Sequence, residues 1–181
     1  MKTAHRFAAS VVVAAILAAL FVTSARSVKA DNAQTLAGTW ITWILAGPGL
    51  RIPALQVYSA DGTVVSEDAI KQGGVPDNPL RGSPMYGVWT RTGPASFAIK
   101  GLFLVFDATS SVLIGFGRTQ GTVVLSTPEA NEASGTISVE FLACPSPLTC
   151  PDPQAADAAW APFPGFGSSM LVTATRLRSG E

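Results

Sequence analysis

Seven charged side chains fall inside runs that read as β-strands: Glu67, Asp68, Arg91, Lys100, Asp107, Arg118 and Glu140. Through these a mechanism could run, since a charge in a half-buried strand either faces solvent or is held by a partner. Arg118 shares a strand face with Phe116 and Gln120, and Glu140 faces away from Ile137, Val139 and Phe141. On adjacent antiparallel strands Arg118 and Glu140 would pair across the sheet. Lining an apolar cavity, such a pair could orient a carboxylate or polarise a carbonyl. Tyr58, Tyr86 and Trp89 add polar-tipped aromatic rings that could hydrogen-bond a ligand at a cavity mouth. The candidate ligand-binding residues are therefore Tyr58, Tyr86, Trp89, Arg118 and Glu140. No catalytic residue can be assigned from the sequence.

Other chemistries are excluded by what the chain lacks. Its only histidine is His5, so Ser-His-Asp and Cys-His machinery and histidine-based metal sites are absent. The two Gly-Phe-Gly triplets, at 115–117 and 165–167, do not open a helix after a strand and so are not nucleotide fingerprints. No cofactor and no metal are expected. The net charge of zero over 181 residues averages two unlike pieces. Lys2, Arg6, Arg26 and Lys29 lie in the first 30 residues. The remaining chain carries eight basic against twelve acidic side chains, without the basic footprint of a nucleic-acid binder.

The N-terminus reads as a targeting segment. Lys2, His5 and Arg6 precede an apolar run over 7–22, too short to span a bilayer but suited to a signal peptide covering residues 1–30. Cleavage fits after Ala30, and as an alternative after Ala25. The mature chain is then secreted or periplasmic, with no membrane span after cleavage. Cys144 and Cys150 are the only cysteines, and in an exported chain they read as a disulfide. A metal pair would need further ligands, and the spacing is not that of a redox C-x-x-C motif. Closing so short a loop should stabilise by about 2 kcal/mol.

These residues need a scaffold, and the periodicity supplies one. After residue 36 the pattern is that of strands separated by turn signals, expected at 38–45, 54–59, 63–68, 85–91, 96–107, 112–126, 135–142 and 169–177. The fold class is all-β: eight antiparallel strands in an up-and-down barrel, one domain over 31–181, with a two-sheet sandwich as the alternative. Gly115, Gly117 and Gly121 share one face of the sixth strand, as a sharply coiled strand crossed by bulky neighbours would require. The strand at 96–107 is apolar on both faces, so its outer face calls for cover. A loop at 143–168, pinned by the disulfide and holding six of the thirteen prolines with Trp160, Phe163 and Phe166, could supply it, as could a second subunit in a homo-oligomer.

Gly38-Thr39-Trp40 opens the first strand and Arg176 or Arg178 closes the last. This resembles the calycin pattern of lipocalins and their relatives, in which a G-x-W tryptophan packs at the closed end of the barrel under a basic side chain. Trp40 and Arg176 would then be structural, the cation stacked on the indole. The segments at 59–64, 87–94 and 97–107 further resemble small secreted bacterial lipocalin-like proteins. The resemblance implies a calycin-like barrel that binds a small apolar or amphipathic molecule. Two alternatives stand beside it: a barrel enzyme of the allene-oxide-cyclase type acting on a hydrophobic substrate, and an inhibitor or other protein-interaction barrel.

Overall fold

The computed structural model of the chain describes residues 35–73, 78–127 and 131–178. The expected signal peptide and both cleavage positions lie outside these residues. The strands are β1 (Gly38–Gly47), β2 (Leu50–Tyr58), β3 (Thr63–Asp68), β4 (Leu80–Gly82), β5 (Met85–Arg91), β6 (Ser96–Asp107), β7 (Leu113–Leu125), β8 (Glu132–Ala143), β9 (Ala161–Pro162) and β10 (Met170–Arg176). Eight of them, all but β4 and β9, pair antiparallel in the order β1-β2-β3-β5-β6-β7-β8-β10, and β10 returns to pair with β1. The sheet is thus a closed eight-stranded barrel without an open seam.

Alternation along each strand decides what fills it. Trp40, Ile52, Val64, Phe97, Val105, Leu125 and Val172 point inward and are almost wholly buried. The three glycines of β7 also face inward. Phe103 stands opposite Gly117, and a Cβ at Gly117 would collide with its ring. The absent side chain is therefore what gives Phe103 its place in the core.

The two ends of the barrel differ. At the end where β1 begins, the connections are short. Asp61 accepts hydrogen bonds from the Thr63 amide (2.9 Å) and hydroxyl (2.8 Å), which hold the β2–β3 turn and lower the Asp61 pKa. Here Trp40 pairs in register with Arg176, whose guanidinium lies 4.6 Å from the indole centre. The Trp40 indole N–H donates to Leu36 O (2.8 Å), and Arg176 Nη2 donates to Thr35 O (2.6 Å). Gly38 has a φ of +137°, a conformation that side chains disfavour, and it packs directly on the Arg176 side chain. The opposite end carries the long connections, 69–84 and 144–169.

Several boundaries differ from those expected. β2 begins at Leu50 rather than 54 because Pro53 is tolerated inside it. The Pro53 carbonyl accepts from the Ala69 amide, so its nitrogen faces the same side, beyond the last β3 pair, where no ladder bond is needed. β8 begins at Glu132 rather than 135. Two short strands add to the eight: β4 along β6, and β9 along β8. On the outer face of β6, Leu104 remains 37% exposed, while Leu102 and Phe106 are half-buried. The 144–169 segment crosses the open end and turns Phe163 into the barrel.

Candidate functional site

Beneath the long connections the barrel retains a cavity of about 80 Å³, lined mainly by apolar side chains such as Ile44, Ile99, Val123, Ile137, Val139 and Val172. It is small beside the roughly 300–1,000 Å³ of ordinary ligand pockets. Phe163 and Phe166 form part of its lining. Phe163 is buried against Phe103, Phe141 and Phe166, with ring centres 5.5–6.0 Å apart. Its amide donates to Val139 O (3.2 Å), which continues the contact made by β9. These two rings are a plug delivered by a loop, so the free volume depends on where that loop sits.

One wall of the cavity is polar. Gln56, at the centre of β2, accepts hydrogen bonds at Oε1 from Thr42 Oγ1 (2.9 Å) and Tyr58 OH (2.8 Å), and its Nε2 donates to Ser66 Oγ (3.3 Å). The cluster spans three adjacent strands because Thr42, Gln56 and Ser66 all occupy inward positions of β1, β2 and β3. Burial pushes the Tyr58 phenol above its ordinary pKa, so its hydroxyl stays protonated and donates. At the mouth, Lys71 Nζ pairs with Asp68 Oδ2 at 3.1 Å, with side chains only 9% and 13% exposed. The ammonium also sits 4.5 Å from the centre of the Phe103 ring. Asp68 Oδ1 accepts from the Lys71 amide (3.1 Å), which fixes the turn that places the lysine.

The residues singled out from the sequence are distributed over three regions. Tyr58 reaches the cavity. Trp89 packs at the closed end, edge-on to Tyr58 and Phe97, and its indole N–H donates to Ser59 O (3.0 Å). Tyr86 points outward and is 62% exposed. Arg118 and Glu140 are directly opposed on β7 and β8 and make the expected cross-strand pair, Nε and Nη2 donating to Oε2 at 2.8 and 2.7 Å. That pair lies on the outer surface of the barrel, not in the cavity. Trp160 stacks on the Arg118 guanidinium, 4.3 Å from its centre, next to β9. The pair thereby anchors the segment that carries Phe163.

Cys144 and Cys150 form a disulfide. Among the described residues no group of three or more histidine, cysteine or acidic side chains could hold a metal ion, and no helix is long and apolar enough to cross a membrane. Sequence reasoning missed Gln56, Ser66 and Lys71 as cavity residues, and Thr42 as the partner that braces Gln56. The available signal was parity: Gln56 and Ser66 alternate in phase with Ala54, Tyr58 and Val64, so an inward assignment for Val64 carries the polar residues inward too. No family model, curated protein or solved structure matches this chain.

Proposed function

We propose that the chain is an exported, calycin-like barrel that binds a small apolar or amphipathic molecule inside the barrel, beneath the Phe163–Phe166 plug. The observation that carries this reading is the cavity itself: an apolar chamber with one polar wall, stoppered by a loop rather than by a barrel strand. A chamber sealed by strand side chains would have to break the fold to open. A plug on the 144–169 segment can leave while the eight-stranded ladder stays intact, and opening would enlarge the chamber by the volume of two aromatic rings. The arrangement of Gly38, Trp40 and Arg176 supports the calycin-like reading, and the disulfide supports an extracytoplasmic destination.

A titration of the purified chain with n-heptane and with 2-heptanone tests this, read by the methyl resonances of Ile44, Ile99, Ile137 and Val172. Saturable shifts confined to those residues are expected, with tighter binding in a Phe163→Ala variant. Unmoved methyl signals in both proteins would overturn the reading. The protein-interaction alternative draws on a different observation, Leu148, which stands 95% exposed on the turn between Ser146 and Thr149 within the disulfide loop. That reading gains if the cavity stays unoccupied and Leu148→Ser abolishes a protein contact.

A further inference from the structure

The chemistry of the cavity wall narrows the class of molecule it would take, and this step rests on the binding function proposed above. Thr42 and Tyr58 spend their single O–H donors on Gln56 Oε1, and Gln56 Nε2 uses one of its two N–H groups on Ser66. Among the described residues, no hydrogen bond uses the second Gln56 N–H or the Ser66 O–H, although Ser66 is 5% exposed. The wall therefore offers unspent donors, while the amide oxygen already accepts two bonds. A guest that brings a hydrogen-bond acceptor satisfies these donors; a pure hydrocarbon leaves them unmatched in an apolar chamber.

Charge selects further. The only cation lining the chamber among the described residues is Lys71, and Asp68 neutralises it at 3.1 Å. A guest carboxylate would place an uncompensated anion beside the Asp68 carboxylate in a poorly hydrated space, which costs far more than the hydrogen bonds return. We infer that the ligand is an uncharged molecule with an alkyl body and one acceptor oxygen, a ketone, ester or aldehyde rather than a fatty acid. The acceptor is held by Ser66 and Gln56. The Asp68–Lys71 pair acts as the filter that keeps anions out.

A shape-matched pair separates the terms: 2-heptanone and hexanoate share a pentyl chain and differ in bearing an acetyl group or an ionised carboxylate. Both are titrated at neutral pH against the full chain by calorimetry, with n-heptane as the acceptor-free reference. We expect 2-heptanone to bind at least tenfold more tightly than hexanoate. Ser66→Ala should weaken 2-heptanone severalfold and leave heptane unchanged. Asp68→Asn keeps the acceptor for the Lys71 amide but strips the neutralising charge, and should raise the relative affinity for hexanoate at least tenfold. Hexanoate binding as tightly as the ketone to the unaltered chain would overturn the proposal while leaving the cavity function in place, whatever the variants do. Heptane binding as well as 2-heptanone would do the same for the acceptor role of Ser66 and Gln56. Failure of all three to bind, even to the Phe163→Ala chain, would overturn the binding function itself and this proposal with it.

Discussion

Tyr58 shows what burial does to a single titratable group in this barrel. Its phenol is 3% exposed, and its hydroxyl donates to Gln56. Phenol is neutral when protonated, so desolvation raises its pKa in the folded chain above the unfolded value near 10. Below that pH both states hold the proton and stability is unaffected. Above it the unfolded chain releases the proton and the folded chain does not, so stability falls as pH rises, by up to about 1.4 kcal/mol per pH unit. Urea unfolding of the chain and of Tyr58→Phe should therefore show a constant stability difference from pH 7 to 9. Between pH 10 and 11 that difference should shift by about 1 kcal/mol in favour of Tyr58→Phe. A difference that stays constant to pH 11 would show the phenol reachable by solvent. The sequence made Tyr58 a candidate through its polar-tipped ring, but not its partners. Threonine, glutamine and serine in strands are ordinary outward residues until the inward face is known. Trp40 and Arg176 were legible for the opposite reason, because closure of an eight-stranded meander brings the start of the first strand beside the end of the last.

Among elements, the long strands were readable and the short ones were not. Two- and three-residue strands such as β9 and β4 carry no periodicity, and Pro162 within β9 argues locally against a strand at all. β9 exists because Arg118, Glu140 and Trp160 hold its start while Phe163 is drawn into the apolar end of the barrel. The disulfide acts at the other end of the same segment, closing a loop with a separation of only 6 residues. Its effect on the unfolded chain is correspondingly limited, and neither cysteine belongs to the buried core of the barrel. Cys144→Ser with Cys150→Ser should lower stability by about 2 kcal/mol in chemical denaturation and leave the near-ultraviolet dichroism of the barrel in place. Loss of that signal would show that the loop is needed to hold the barrel together. The outer apolar face of β6 shows how far its two-faced pattern could be read: Leu104 stays open in the single chain, while Phe163 and Phe166 of the segment serve the barrel mouth and Trp160 stacks on Arg118 at the outer surface.

At the scale of the whole molecule, closure is the property on which everything else depends, since a closed ladder fixes which residues face inward and so creates both the core and the cavity. Eight strands with short turns made that topology legible, whereas the volume left inside depends on side-chain packing that no periodicity encodes. Closure also brings the ends of the described chain together: the Leu177 amide donates to Thr39 O at 2.8 Å, and Arg176 reaches Thr35 O. The order of strands around the barrel therefore does not require the chain to start at β1. A permuted chain that joins 178 to 35 through a short glycine-serine linker and begins at Ser111 should fold to the same barrel. Opening between Ser110 and Ser111 retains the bonds that the Thr109 and Ser110 amides donate to Asp107 Oδ1, and it frees Ser111 from a φ of 57° that a non-glycine residue holds at a cost. The permuted chain should keep the near-ultraviolet dichroism and the buried tryptophan emission contributed by Trp40. A permuted chain that kept strand content but lost both signals would mean that the β1–β10 seam forms only as the last step of an uninterrupted chain. The joining of first and last strands would then be a consequence of folding order rather than of the stability of the seam.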